Sequence, residues 1–562
     1  MATKGGFSVT LRPIQFIDGT IVVLGNDDVL MGGGSQGSVL VGQSLHLGDG
    51  SSNSVSLGTA ITIGNGAGLS IAIGLSLNIG DGSSQTIAMG VGSAIGSGSG
   101  QAICMGVASQ VGNNSGQAIA IGTATNVASS SCIAIGPSCR IATGCSSSFA
   151  IGRSTSIEAS CSQIVALGAS SSVHSSCTSS VAMGNNVSVG TQCAHVVVIG
   201  PQANTGAQSA RSVVLGFQAN IGASCVQSIA LGFGASVAAN SSDGISIGTS
   251  AQVGTESVAI GHSATIATTS TSSLAIGNAA HISATAGGSM ALGHSSVIGV
   301  NAINSIAIGN GVSVGTGVVG GTGTVFSSCL AIGDQALVGD QCTYAIAIGH
   351  GAQVSAGADQ GIVIGNGAVI DATSQLSMAI GVDAHVADNS FNSFAFGHAA
   401  VIGSNCPECY AIGTQAKIGA VGGVGSSSCV ALGHLSTIDV NCHNSIAIMG
   451  TAYPNTIGSI AIGWESKSQN GIAIGGGIIA GTGQLVMGNA SSESGFTIIT
   501  DFRVKTSKTS PTDIDLVRFD FATLGANLTS VMYLLYIDST GATVSKPVTV
   551  NAVTGALTVP LF

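Results

Sequence analysis

Ser305-Ile-Ala-Ile-Gly-Asn-Gly-Val-Ser-Val314 is the stretch that decides the fold. It opens with an apolar-Ala-apolar-Gly element and places a second apolar residue, Val314, five positions after Gly309. The element recurs as Ile71 to Gly74, Ile119 to Gly122 and Ile346 to Gly349. Its glycines fall every 16 residues from 42 to 122, from 136 to 248, from 261 to 309 and from 333 to 413. Uneven steps then lead to 433, 450, 463, 475 and 488. The second apolar residue holds its slot at Val127, Ile141, Ile157, Val173, Ile221, Val237, Val253, Ile266, Val354 and Ile418, and Thr205 breaks it.

Runs this short, with period-2 alternation and turn residues between them, predict strands rather than helices. Each repeat therefore reads as two short strands separated by a glycine bend, followed by a polar loop. Stacked repeats pair their backbones with the coils above and below and bury Ile on Ile. The expected fold is all-β: a repetitive solenoid of about 29 coils, mostly 16 residues each, some 140 Å long at roughly 4.8 Å per coil. Odd steps belong in loops, where length changes cost little, and Gly320 to Thr324 is one insertion. In Ile-Ala-Ile-Gly the two Ile face one way and Ala the other. A row of Ala would let another backbone approach closely, and so much apolar surface argues for a bundle of chains.

Composition agrees. Of 562 residues, 6% are charged, 4% are aromatic and 86 are glycine, against about a quarter charged in an ordinary globular domain. The net charge of -11 supplies no basic surface for nucleic acid or a membrane. Apolar runs of three to five residues cannot span a bilayer. No signal-peptide pattern is read in Met1 to Pro13, so synthesis is expected to start in the cytosol.

The motif Ser-φ-Ala-φ-Gly-x-x-Ala-x-φ, as in Ser305 to Val314 and Ser273 to Ile282, resembles the head repeat of YadA-like trimeric autotransporter adhesins, over about Ser38 to Gly488. That resemblance implies a left-handed β-roll and a homotrimer around one axis. No heptad stalk, membrane anchor or export signal accompanies it, which suits the fibre or spike of a virus or phage better than a bacterial autotransporter. The implied partners are the chain itself, a particle or tail attachment protein at one end, and a host receptor at the other, a glycan among the candidates. The implied place is the virion surface. A bacterial cell-surface adhesin is the alternative. A β-helix depolymerase would need clustered carboxylates and wider coils, and an ice-binding solenoid would need a Thr column.

Three domains are expected: a cap or attachment segment over 1–37, the shaft over 38–488, and a small β-domain over 489–562. The last holds Arg503, Lys505, Lys508, Arg518 and Lys546 of the twelve basic residues, with Phe519, Phe521, Tyr533 and Tyr536 among its aromatics. Alternation at Val517 to Phe521 and a turn at Asp538 to Gly541 predict antiparallel strands. Arg503, Lys505, Arg518, Phe519, Phe521, Tyr533 and Tyr536 are the candidate binding residues, and a trimerising cap is the competing reading.

Eight of fourteen cysteines (145, 161, 177, 193, 225, 342, 406 and 442) lie nine places after a motif glycine, where Ser stands in other coils. The slot requires a small side chain, and free thiols are expected. Cys406-Pro-Glu-Cys409 is a lone pair without zinc spacing. His262, His294, His350, His398 and His434 follow a motif glycine directly, in a slot shared with Asn278, Asn310 and Asn366. They form either an exposed polar ladder or, on a threefold axis, an ion ladder. No recurring carboxylate pair, phosphate loop or nucleophile elbow is found. The reading is a structural protein, not an enzyme, without a cofactor.

Overall fold

The computed structural model describes residues 14–17, 20–24, 29–315, 326–419, 424–482, 485–487, 532–537, 543–550 and 557–558. The chain divides into two compact units, 1–494 and 495–562.

The first unit is a parallel β-solenoid of about 28 coils, with 56 strands in one continuous sheet. No helix occurs among the described residues, so none there is long and apolar enough to cross a membrane. Most coils carry a three- to six-residue first strand on the apolar-Ala-apolar element and a two-residue second strand ending on the later apolar position, as in Ile229–Leu231 and Ser236–Val237. In Val39–Leu47, Val55–Ile63, Ile446–Ala452 and Ile460–Ser468 the two merge into one strand. Equivalent residues pair from coil to coil: Met290, Ile306 and Leu330 in one row, Ala291, Ala307 and Ala331 in the next. The long step from Gly309 to Gly333 keeps this register, because Ser313–Val314 still pairs with Leu337–Val338. Gly320 to Thr324 lies outside the described residues, between two parts that stay in phase.

The motif glycine is obligatory for two reasons. Its φ is +136° at Gly349, a region closed to side chains, and a Cβ there would run into the carbonyl oxygen of Gly365. In most of the 16-residue coils three further turn residues take left-handed conformations. After Gly200 these are Gln202, Gln208 and Arg211, with φ of 59°, 61° and 55°. Gln, Ser, Asn and Gly dominate those slots elsewhere, consistent with the greater tolerance of short polar side chains and glycine for this region.

The interior corrects the orientation expected of the first strand. Ala, not Ile, faces inward: Ala307, Ala331 and Ala347 are fully buried, while Ile306, Ile308, Ile346 and Ile348 lie outward and are half-buried. The reason is volume. The later apolar row (Ile221, Val237, Ile282, Ile298) also points inward and is buried. A thin coil accommodates one large row opposite a small one. The Ala row therefore lines each coil's own core and cannot receive a neighbouring chain.

At the N-terminal side, Ile14–Ile17 pairs antiparallel with Thr20–Leu24, which runs parallel to Val39–Leu47. In the second unit, Met532–Ile537 pairs antiparallel with Thr543–Val550, with Asp538 to Gly541 between them, and Thr543–Val550 pairs antiparallel with Leu557–Thr558.

Candidate functional site

Reversing the first strand's orientation turns its Ile rows into surface. Two outward rows, three places and one place before each motif glycine except Gly450, where they are Ile446 and Ile448, run from Val39 and Val41 to Ile472 and Ile474. Through the regular coils they hold only Val, Ile, Leu, Met and Phe, apart from Tyr410. No charge interrupts them. The outward row of the second strand is mostly polar: Asn204, Asn220, Ser236 and Gln252 stand in successive coils, and Asn204 donates to Asn220 at 3.1 Å. Sheet alternation thus yields one apolar and one mostly polar outer face.

Two aromatic pairs stack between neighbouring coils. Phe394 and Tyr410 lie on the apolar face, with centroids 5.2 Å apart, and Phe217 and Phe233 occupy the slot after the motif glycine, 5.3 Å apart.

The same corner slot carries the histidines. His262, His294, His350, His398 and His434 are all exposed. Four successive residues of the row connect: His294 Nδ1 lies 3.0 Å from Asn310 Oδ1, Asn310 Nδ2 donates to Asp334 Oδ1 at 3.2 Å, and Asp334 Oδ2 lies 3.7 Å from His350 Nε2. Among the described residues no three His, Cys, Asp or Glu side chains group so as to hold a metal ion.

All fourteen cysteines are buried free thiols. Their chemistry explains the exchange with serine. Ser209 Oγ donates to the carbonyl of Gly222 at 2.7 Å, and Cys177 Sγ makes the equivalent contact to Gly190 at 3.0 Å. Burial pushes the thiols of Cys104, Cys139 and Cys406 up to about 11 and that of Cys342 to about 12. They stay protonated donors and make poor nucleophiles. Cys406 and Cys409 occupy two different inward slots, each donating to a local carbonyl, of Ser404 and Pro407 respectively, at 3.4 Å.

Of the proposed terminal binding residues, Arg503, Lys505, Arg518, Phe519 and Phe521 lie outside the described residues. Tyr533 and Tyr536 lie on the strand Met532–Ile537, paired with Pro547 and Val544.

Sequence reasoning overlooked one irregular corner. In the coil Ile446–Ala452 only Met449 separates Ile448 from Gly450, whereas their partners Ile462 and Ser466 are separated by Gly463, Trp464 and Glu465. The available signal was the uneven glycine spacing around Gly450. Neither a protein-family model nor a curated protein matches the chain, so the reading of function rests on these surfaces.

Proposed function

We propose that the chain is the subunit of a homotrimeric fibre or spike, a structural and non-catalytic protein of a virus or phage surface that attaches the particle to its host. One observation carries the reading: the apolar face, which extends through the regular coils without a charged residue. Monomers rarely leave a contiguous apolar patch beyond a few hundred Å² in water, and a surface of this extent calls for cover along its length. Further copies of the same chain, stacked in parallel register, supply an equally long apolar face for every coil. The repeat's resemblance to trimeric adhesin heads supports three copies. It also sustains the second reading, a bacterial surface adhesin, which genome neighbourhood would separate from the first.

Mass measurement in native buffer is the first test, with three times 54.3 kDa expected. A well-folded monomer overturns the proposal. Electron microscopy of particles then asks whether fibres project from them.

A further inference from the structure

The short corner at Met449 opens a notch in an otherwise regular edge. Between Leu432 and Thr437 the preceding coil has four residues, while between their partners Ile448 and Thr451 there are only two, Met449 and Gly450. The corners on either side, Gly433-His434-Leu435 and Gly463-Trp464-Glu465, keep full length. They stand two coil spacings apart, about 10 Å, and overhang the shortened one. The resulting cavity has a volume of about 470 Å³ and is open to solvent, within the usual range of small-ligand sites of about 300–1,000 Å³. Below it the regular hydrogen bonding lapses. Ser93 Oγ, three places after its glycine, donates to the next coil's glycine carbonyl at 2.9 Å, but Ser466 Oγ, in the equivalent position under Gly450, is buried with no partner among the described residues.

The walls have a definite chemistry. Trp464, the chain's single tryptophan, is 53% exposed there. Glu465 and His434 are exposed beside it. Lys467, held with Nζ 6.0 Å from the Tyr453 ring centroid, and Thr451 come from the second strand's outward row. An aromatic face offers a flat apolar contact, while the carboxylate, ammonium, imidazole and hydroxyl around it accept and donate hydrogen bonds at its edge. The geometry points to a saccharide site: one pyranose ring of a glycan stacks on Trp464, with its hydroxyls bonded by Glu465, Lys467 and Thr451. Leu435, Met449 and Ile479 complete the lining, and nucleic acid faces a chain of net charge -11.

The inference deepens the attachment reading by naming the receptor's chemistry, and it rests on that reading only for its biological role. Because Trp464 is the only indole, intrinsic fluorescence reads the site directly in the full chain. The probes are the methyl glycosides of glucose, galactose and N-acetylglucosamine, and N-acetylneuraminic acid. A saturable change in emission with at least one of them is expected. Glu465→Gln should weaken that response about tenfold, as loss of a charged hydrogen bond does. Inserting Gly-Asn between Met449 and Gly450 should refill the corner and abolish it. Native mass should be unchanged in both variants, which separates failure of the site from failure of the assembly. No response to any of the four sugars, an undiminished response in both variants, or an indole emission that shifts only when copies dissociate would each overturn the inference.

Discussion

The two outer faces of the solenoid are built by the same alternation and filled by opposite rules. Beneath the first strand lies Ala and above it Ile. Beneath the second lies mostly Ile or Val and above it a mostly polar row, broken by Val297, Leu337, Val369 and Val401. The fold itself needs only the inward rows and the glycines. A solenoid with Ser and Asn on both outer faces would satisfy every backbone pairing just as well. The apolar first face is therefore not required by the inward packing of one chain, and it is the surface on which the proposed assembly rests.

The strongest way to break this contrast is to charge the two faces of the same coils in turn. Ile308→Asp with Ile348→Asp puts carboxylates into the apolar rows and is expected to abolish the assembly, since buried unpaired charges are not tolerated. Ser313→Asp with Gln353→Asp alters the outward row of the second strand in the same coils. That change should leave native mass and melting temperature nearly unaltered. Equal loss of assembly from both pairs would end the distinction between the faces.

Register provides the next test. Deleting Gly349 to Ile364 removes one coil and should leave a shorter, folded stack. Deleting Ala347 alone turns the remainder of its strand to the wrong face and should disrupt that coil, with loss of several kcal/mol of local stability. Hydrogen exchange of the neighbouring coils would show it. Similar behaviour of the two deletions would contradict in-register stacking.

A smaller effect sharpens the contrast between inside and outside. Ala347→Leu forces a large side chain into a closed row and should cost about 1–3 kcal/mol. Ile348→Leu, one residue along and outward, should cost less than about 1.5 kcal/mol. This pair also shows what was legible beforehand. Coil length, strand positions and the placement of most length changes in loops, though not the one at Met449, could be read from glycine spacing, because each regular coil repeats the same steric demand. The facing of the first strand could not be read from alternation alone, since period 2 is indifferent to which side is called inside. The deciding information lay in the other rows. With Ile221, Val237 and Ile282 already inward, and small residues such as Ala219 and Ala235 beside them, only a small row fits opposite. The notch at Met449 was hidden for another reason: it is a deletion at a corner, and irregular glycine steps do not disclose which side chains will overhang the gap. The ladder from His294 to His350 could be placed in one row by spacing, but its hydrogen bonds depend on how the glycine bend turns each side chain.

The smallest expected effect concerns the thiols, and it separates structural cysteine from reactive cysteine. Changing Cys145, Cys161, Cys177 and Cys193 together to Ser keeps a small donor in each buried slot, so assembly should persist, and reducing agents should not destabilise the unaltered chain. Cys342 allows a finer measurement. Its Sγ donates to the carbonyl of Ser355 at 3.1 Å, and burial raises the thiol from the ordinary 9.0 to about 12. Below pH 9 the thiol is protonated in both folded and unfolded chains, and Cys342→Ser should change stability by less than about 1 kcal/mol. Between pH 9 and 12 the unfolded chain loses this proton while the folded chain holds it. The contribution of a raised folded pKa therefore declines as pH rises through that window. Serine does not titrate there, so the variant should lose less stability than the unaltered chain on going from pH 8 to pH 11, as measured by denaturant unfolding at each pH. Parallel curves would mean that Cys342 is open to water and that its slot is not part of the closed interior.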